Sequence, residues 1–268
     1  MHWMLLLSFI GFIILGLGAG TLSGLLGAGG GLLVVPGLAL IFRFSNTTPS
    51  IQMHMAIGTS LATMIVVAIR SLCSHMRHEV PFFDVYKRLA PGLVMGVIGG
   101  GIVAHFIHSQ ILSILFGIFV FIMAYSLYFD KKITEEKKLP HTGVMLLAGW
   151  FVGMLSGLLG VAGSAFSVPF LVKRGVNIHI AVVVSVAIAV TVSILGTITY
   201  TFTGLHAAGL PMWSTGYIYW PAWLGIVLGG VVAAPLGAAL SYRIPDQKLK
   251  RYFSFFLIVV GVDMLWPR

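Results

Sequence analysis

The sequence predicts an all-α integral membrane protein with about eight hydrophobic helical segments in two inverted repeats, each repeat containing a glycine-broken helical hairpin. Three observations predict this fold: the composition, a motif that recurs in the second half, and the distribution of basic residues. Of the 268 residues, 58% are hydrophobic and 9% are charged, whereas about a quarter are charged in soluble domains. With a mean hydropathy of +1.02, the chain is expected to lie in a lipid bilayer.

Long apolar runs account for most of the chain. They cover Met4–Phe42, Ile51–Cys73, Leu89–Phe129, Thr142–Val172, Val176–Thr203, Ile218–Tyr242 and Phe253–Trp266. Because a membrane span takes about 20 helical residues, these runs have room for about eight segments. They do not alternate as the strands of a membrane barrel would. The first run has no basic residue before it and no cleavage pattern after it, so we expect it to remain as the first helix.

One motif occurs in both halves of the chain. Leu22–Pro36 reads LSGLLGAGGGLLVVP and Leu155–Pro169 reads LSGLLGVAGSAFSVP. Further along, His54 and Ser60 recur in the same order as His179 and Ser185. We therefore predict a first membrane repeat over 1–130, a polar cytoplasmic linker over 131–141, and a second membrane repeat over 142–268. Internal duplication of this kind is frequent in transporters.

The basic residues predict how the repeats are inserted. The chain has 16 basic and 7 acidic residues, and basic residues in short loops favour the cytoplasmic side. If each glycine hairpin returns to the side where it began, all basic residues except Arg43 and Arg268 fall on the side of the linker. The number of crossings per repeat is then odd, so the second repeat is inverted and both termini lie outside. No basic stripe interleaved with aromatic residues indicates nucleic acid binding.

The glycines of the motif are expected to interrupt the helix. Gly27, Gly29, Gly30 and Gly31 cannot together continue a stable helix, at a cost of about 1 kcal/mol each relative to Ala. A broken helix within a membrane is tolerated only where protein or a water-filled cavity surrounds its unpaired backbone groups. The helix that begins after the break directs its N–H groups and positive dipole end at that cavity, which favours an anion.

We predict a substrate site formed by the two glycine turns and nearby hydroxyl groups. Its residues are Ser23, Gly27, Gly29, Gly30, Gly31, Thr59, Ser60, Ser156, Gly160, Gly163, Ser164 and Ser185. The glycines could instead only permit close helix packing, the interpretation we prefer for Gly96–Gly100 and Gly225–Gly230. The Ser and Thr hydroxyls could instead bond their own helix backbone.

Two repeated histidines, His54 and His179, are candidates for gating or for carrying protons. A polar cap at the membrane interface is the interpretation we prefer for each of them. The acidic residues lie in loops or near the C-terminus, and the absence of carboxylates from the centres of the spans suits an anionic substrate. With a single cysteine, Cys73, the sequence predicts no internal disulfide, and it indicates no metal site and no cofactor.

Two other functional classes compete with transport. An intramembrane serine hydrolase could use Ser23 or Ser156, but a serine nucleophile needs a positioned base and the motif does not supply one. A helical scaffold that transports nothing is the other alternative. We predict that the chain is not an enzyme and has no catalytic residues, because duplicated serines suit a binding site better than a single nucleophile.

At the paired motifs, Ser23–Pro36 and Ser156–Pro169, the chain resembles the TauE/SafE sulfite exporter family, and the resemblance covers essentially the whole chain. It implies a multi-pass secondary transporter of a prokaryotic cytoplasmic (inner) membrane that carries sulfite, an organosulfonate or a related sulfur-containing oxyanion by alternating access. The partners expected are a small anionic substrate and the lipid bilayer, and a homodimer is left open. Ala162 and Ser164 replace Gly29 and Gly31 in the second motif, so the two turns need not be equivalent.

Overall fold

The computed structural model describes residues 2–26, 30–45, 47–76, 82–128, 141–241 and 246–265. Helices dominate this part of the chain, as the sequence predicts. They are α1 (His2–Leu26), α2 (Gly31–Phe44), α3 (Gln52–Met76), α4 (Phe83–Phe106), α5 (Ser109–Tyr128), α6 (Thr142–Leu159), α7 (Ser164–Lys173), α8 (Ile178–Gly204), α9 (Trp220–Ser241) and α10 (Asp246–Leu265). The order of a hairpin followed by three helices therefore occurs twice. Most of the predicted polar linker lies outside the described residues.

Five of the described helices are long and apolar enough to cross a membrane, which agrees with an integral membrane protein. They comprise most of α3, all of α4, α5 and α6, and nearly all of α8. Shorter apolar helical segments cover Ser8–Ser23, Gly31–Phe44 and Trp220–Leu236. Large apolar side chains on the outside of the bundle, such as Ile14, Phe151 and Phe202, are more than half exposed, as lipid-facing residues would be.

Each predicted glycine-broken segment consists of two helices of unequal length. At 1.5 Å per residue, α7 with its 10 residues is about 15 Å long and α6 with its 18 residues is about 27 Å long. Helix α6 is therefore long enough to cross a bilayer, whereas α7 is too short. In the first hairpin, α1 has 25 residues and α2 has 14, so the second arm is again the shorter one.

Glycines hold each hairpin against a helix of the other half. A Cβ added at Gly92, Gly96 or Gly100 of α4 would clash with the backbone of α6. In the same way, a Cβ at Gly16 or Gly20 of α1 would clash with the backbone of α9. The packing interpretation is therefore confirmed for Gly96 and Gly100, and for Gly225 and Gly229 on the α9 side, which approach Phe12 and Ile13.

The directions of the helix pairs follow from these contacts. Gly16 approaches Ile226 and Gly20 approaches Gly230, so α1 and α9 run parallel, and the α4–α6 contacts show that this pair is parallel too. By contrast, α3 and α8 run antiparallel, because Gly58 approaches Tyr200 whereas Gly196 approaches Leu61. Helices α5 and α10 are also antiparallel, with Ser113 bonded to Met264 and Ser254 bonded to Ala124.

A short β-hairpin between α8 and α9 was not predicted from the sequence. Strands β1 (Ser214–Thr215) and β2 (Ile218–Tyr219) pair antiparallel around Gly216, whose φ of 57° is in the left-handed region that favours glycine. A Cβ on Gly216 would also clash with the carbonyl oxygen of Thr201. The hairpin is thereby held closely against the end of α8.

Candidate functional site

The second glycine turn interrupts the chain between α6 and α7. Gly160 and Gly163 have φ values of 70° and 67°, a backbone conformation that L side chains adopt only with strain. Gly160 ends α6, and its N–H donates to the carbonyl oxygen of Ser156 at 2.9 Å. Gly163 precedes α7, and its carbonyl oxygen accepts from the N–H groups of Phe166 and Ser167. The predicted interruption is therefore confirmed at this turn.

The first glycine turn is described from Gly30 onward, and Gly27 and Gly29 lie outside the described residues. Gly30 has a helical φ of −62° and precedes α2. Its carbonyl oxygen accepts from the N–H groups of Leu33 and Val34 at 3.0 and 2.9 Å. The first N–H groups of a helix have no partner within it, so those of Gly31 and Leu32 have no acceptor within α2.

The two turns contact each other in the interior of the bundle. A Cβ added at Gly31 would lie 3.2 Å from the carbonyl oxygen of Gly160 and would clash with the Met64 side chain. The buried hydroxyl of Ser60 donates to the same carbonyl oxygen at 3.2 Å. Residues from the two halves of the sequence, including one on α3, therefore converge on one point.

A cavity of about 110 Å³ lies beside this point. This is several times the space that one water molecule needs, so the cavity has room for a small anion. Both turns contribute to its wall, the first through Gly30 and the second through Ala162. The other wall residues come from α1, α2, α3, α8 and α9: Gly16, Ala19, Gly20, Ser23, Val34, Thr63, Met64, Val67, Ala68, Ser71, Val186, Ala189, Ile226, Val227, Gly230 and Ala234. None of these described wall residues carries a charge.

The predicted site residues occupy three different positions relative to this cavity. Ser23 and Gly30 lie on its wall. Gly31, Ser60 and Gly160 meet at the contact between the turns just behind it. The backbone of Ser164 begins α7, while its side chain lies outside what the structure describes. The structure thus brings some of the predicted residues together without placing all of them on one surface.

Ser156 is fully buried, and its hydroxyl has no hydrogen-bond partner. It lies in the last turn of α6 beneath the glycine turn, and a Cβ on Gly163 would lie 3.1 Å from its Oγ. The hydroxyl of Ser167 on α7 is also buried without a partner. The second hairpin therefore contains two unused hydrogen-bonding groups. Each unpaired buried polar group costs about 1–3 kcal/mol of stability.

Besides Ser60, two more of the predicted hydroxyls have structural partners. Thr59 Oγ1 accepts from the backbone N–H of Tyr219 in the β-hairpin at 3.1 Å. Ser185 Oγ donates to the carbonyl oxygen of Val182 in its own helix at 2.7 Å, which is the back-bonding alternative. Neither residue lies on the cavity wall as described.

The two repeated histidines differ in their surroundings. His54 is 3% exposed, its Nε2 lies 3.0 Å from the carbonyl oxygen of Ala104, and its ring stacks on Tyr217 at 5.0 Å. His179 is exposed in the first turn of α8, where its backbone N–H donates to the side-chain oxygen of Asn177. The interpretation as an exposed polar cap therefore fits His179 but not His54.

Aromatic residues form a layer near the starts of α3 and α9, against the middle of α1. Tyr217 of the β-hairpin lies between His54 and Tyr200, and its hydroxyl is 3.2 Å from His105 Nδ1. Burial raises the pKa of Tyr217, so its hydroxyl stays protonated. Beside it, Phe12, Phe42 and Tyr219 pack edge to face at 5.8–6.2 Å. We call this set of seven residues the aromatic layer.

Sequence reasoning missed part of the cavity wall, above all Thr63, Met64 and Ser71 of α3. Thr59, Thr63, Val67 and Ser71 follow one another at intervals of four, so they lie along one side of the helix. This polar stripe in an apolar helix was a signal that could have found Thr63 and Ser71. The wall contributed by α9 carries no such signal, because its residues are small and apolar.

Comparison with known proteins gives a consistent picture. The sequence profile described as "Sulfite exporter TauE/SafE" matches residues 12–264. A probable membrane transporter protein of Haemophilus influenzae is 32% identical, over 94% of this chain and 96% of its own length. A probable membrane transporter protein of Methanocaldococcus jannaschii is also 32% identical, over 97% of this chain and 94% of its own length. No solved structure matches the chain.

Proposed function

Since this chain belongs to the sulfite exporter TauE/SafE family of membrane transporters, we propose that it is a secondary carrier for a small sulfur-containing oxyanion. Sulfite and organosulfonates are the substrates we expect, and a prokaryotic cytoplasmic membrane is the expected location. The observation that carries the proposal is the uncharged cavity at the contact of the two glycine turns.

The groups around the cavity suit an anion held without a cationic side chain. The N–H groups at the start of α2 carry about half a positive charge from the helix dipole. Ser23 and Ser71 add hydroxyls to the wall, whereas Thr63 Oγ1 donates to the carbonyl oxygen of Ser60. No carboxylate among the described wall residues would repel an anion. A weakly charged site of this kind can release its ligand as well as bind it, which a carrier requires.

We also propose that residues 1–130 and 142–268 are two repeats inserted in opposite directions. Two repeats related by an axis in the membrane plane have their equivalent helices antiparallel. The antiparallel pairs α3–α8 and α5–α10 support this arrangement, because each pair joins equivalent helices of the two halves. The basic residues then place the linker inside and both termini outside.

The position of the cavity supports alternating access with the outer side closed. Helices α1, α3 and α9 run in the same direction, and the cavity wall extends along them toward the linker side, to Ser23, Ser71 and Ala234. The aromatic layer lies at their opposite ends, which the proposed topology places outside. We propose that the inner side is the one accessible in this conformation, and that the aromatic layer separates to admit the anion from outside.

A serine hydrolase is not favoured. A serine nucleophile needs a base within hydrogen-bond reach, and the Ser156 hydroxyl has no hydrogen-bond partner at all. Nor is Ser23 accompanied by a described titratable residue on the cavity wall.

Reconstituted protein tests the proposal directly. Purified protein in liposomes should take up radiolabelled sulfite, sulfoacetate or thiosulfate under an imposed pH gradient or membrane potential. Gly30→Leu should abolish uptake, because a Cβ at this position already lies 3.1 Å from Ala19 at the turn. Gly99→Leu is the matched control, since a Cβ there meets nothing within 4 Å. Failure of all three anions to cross would refute a carrier of sulfur anions, and equal uptake by both variants would refute the site.

A further inference from the structure

A second and larger cavity lies at the other end of α2. Its volume is about 800 Å³, and it lies between the end of α2, the start of α3, the start of α5 and the end of α10. It therefore joins elements of both halves. Its described polar wall residues are Arg43, Thr47, Thr48, Gln52, Ser109, Gln110, Ser113 and Asp263. We call it the outer cavity.

The two charged residues described in the outer cavity, Arg43 and Asp263, form a long ion pair. Arg43 Nη1 lies 3.7 Å from Asp263 Oδ1, and about a third of each side chain is exposed. Strong charge-assisted hydrogen bonds between such groups are about 2.7–2.9 Å long, so this contact is weak. A guanidinium has five N–H donors arranged as a fork that matches an oxyanion, and a single contact at this distance leaves donors of Arg43 for a ligand.

Several hydroxyl groups of the outer cavity are held in place by backbone contacts. Ser109 Oγ accepts from the N–H of Met53 at 3.0 Å, which leaves its own hydrogen able to donate. Ser113 Oγ donates to the carbonyl oxygen of Met264 at 2.9 Å. These bonds tie α5 to α3 and to α10 around the arginine. Polar groups held in place by these bonds therefore line part of the cavity wall.

Helix α2 connects the two cavities. Its first turn faces the contact of the glycine turns and its last turn carries Arg43, a separation of about 20 Å at 1.5 Å per residue. Arg43 lies at the same end of the bundle as the aromatic layer, because Phe42 belongs to that layer. In the proposed topology the outer cavity therefore lies toward the outer side of the membrane.

We infer that the outer cavity is a second binding site for small oxyanions, in which Arg43 binds the anion and Asp263 competes with it. When the site is empty, Asp263 holds the guanidinium in position. When an oxyanion binds, it accepts hydrogen bonds from the guanidinium group of Arg43 and from the hydroxyl of Ser109. This inference rests on the proposed transport function, since it places the site on the outer part of the same path.

Sided transport kinetics test the site. In liposomes with the outer face outward, Arg43→Gln should raise the KM for external sulfite about tenfold, the effect of losing one charge-assisted hydrogen bond. Asp263→Asn should lower that KM several-fold, because it removes the competing carboxylate. Arg70→Gln, at an exposed arginine far along α3, is the control and should leave the KM unchanged.

Opposite changes of the KM in the two variants distinguish a binding site from an ion pair that serves only stability. If Arg43 and Asp263 serve only stability, both substitutions should lower the melting temperature and change the KM in the same direction, or not at all, which would overturn the inference. If the wild-type protein carries no sulfite, the proposed function fails first. In that case, calorimetric titration of sulfite into the purified protein tests the site. Sulfite binding that is weaker in Arg43→Gln and stronger in Asp263→Asn would support the site. The absence of sulfite binding would refute it.

Discussion

The hydroxyl of Ser60 on α3 donates a hydrogen bond to the carbonyl oxygen of Gly160, 100 residues further along the chain. Ser60 belongs to the first half of the sequence and Gly160 to the glycine turn of the second. Gly31 of the first turn approaches the same carbonyl oxygen. One buried hydrogen bond thus lies where the two halves and the proposed substrate site meet.

Replacing Ser60 with Ala should destabilise the protein and reduce transport. The Gly160 carbonyl group would remain buried without this donor, which costs about 1–3 kcal/mol. The melting temperature in detergent and sulfite uptake in liposomes measure the two effects. Ser185→Ala is the control, because that hydroxyl bonds only its own helix and its loss should change the melting temperature much less. Equal effects of the two substitutions would contradict the special role of Ser60.

Replacing Ser156 with Ala should separate binding from stability. Its hydroxyl has no partner in the folded protein, so its removal should leave the melting temperature unchanged or raise it slightly. If Ser156 contacts the anion during transport, uptake should nevertheless fall several-fold. Ser193→Ala is a suitable control, since that buried hydroxyl bonds Val190 of its own helix. Full uptake by Ser156→Ala would remove this residue from the proposed site.

The substitution Gly96→Ala should prevent α4 and α6 from packing. A Cβ at Gly96 would clash with the carbonyl oxygen of Trp150, and forced overpacking costs about 1–3 kcal/mol. The yield of monodisperse protein after size-exclusion chromatography should drop, and its melting temperature should fall. Gly99→Ala, three residues further and open to space, should behave like the wild type. A normal yield from Gly96→Ala would show that the two helices can separate without loss.

Truncation of Tyr217 should open the outer side of the proposed path. Tyr217 is 4% exposed and contacts His54, His105 and Tyr200, so Tyr217→Ala removes the centre of the aromatic layer. On a Cys73→Ser background, Ser23→Cys should react with an impermeant thiol reagent from the linker side only. With Tyr217→Ala it should also react from outside.

The control for this experiment is Met212→Ala, because Met212 is 81% exposed beside the same β-hairpin. It should leave the labelling pattern unchanged. Labelling of Ser23→Cys from outside in the parent protein would contradict a closed outer side.

A topology scan tests the inverted arrangement. Single cysteines are introduced on the Cys73→Ser background. A cysteine at Glu135 in the linker should be labelled from inside, and a cysteine at His2 near the N-terminus should be labelled from outside. A third cysteine at Trp266 should be labelled from outside. Termini on opposite sides of the membrane would refute the proposed inversion.

Much of the fold could be predicted because lipid imposes simple rules on a sequence. The apolar runs defined the helices, and the glycine motif predicted the turn that Gly160 and Gly163 make. The β-hairpin around Gly216 was missed because its strands have two residues each, too few for an alternating pattern. The break at Gly160 leaves α6 with 18 residues and α7 with 10, and this difference in length between the two arms was not predicted.

The site could be predicted only in part, because motif and spacing say which residues are near a turn but not which way they face. Ser23 and Gly30 lie on the cavity wall, whereas the hydroxyls of Thr59 and Ser185 have structural partners. Thr63 was missed although it follows Thr59 by one turn. The contribution of Ile226 and its neighbours depends on which helix packs against α1, and that pairing has no local signal.

The glycine contacts between α1 and α9, and between α6 and α4, have a consequence for how such a carrier can move. Backbones in direct contact, with no side chains between them to slide or repack, shift as one body. The first hairpin must therefore move together with α9, and the second hairpin together with α4, a helix from the other half of the sequence in each case. Each moving part would therefore combine helices from both halves of the sequence, and the boundary between the moving parts would not coincide with the linker between the halves.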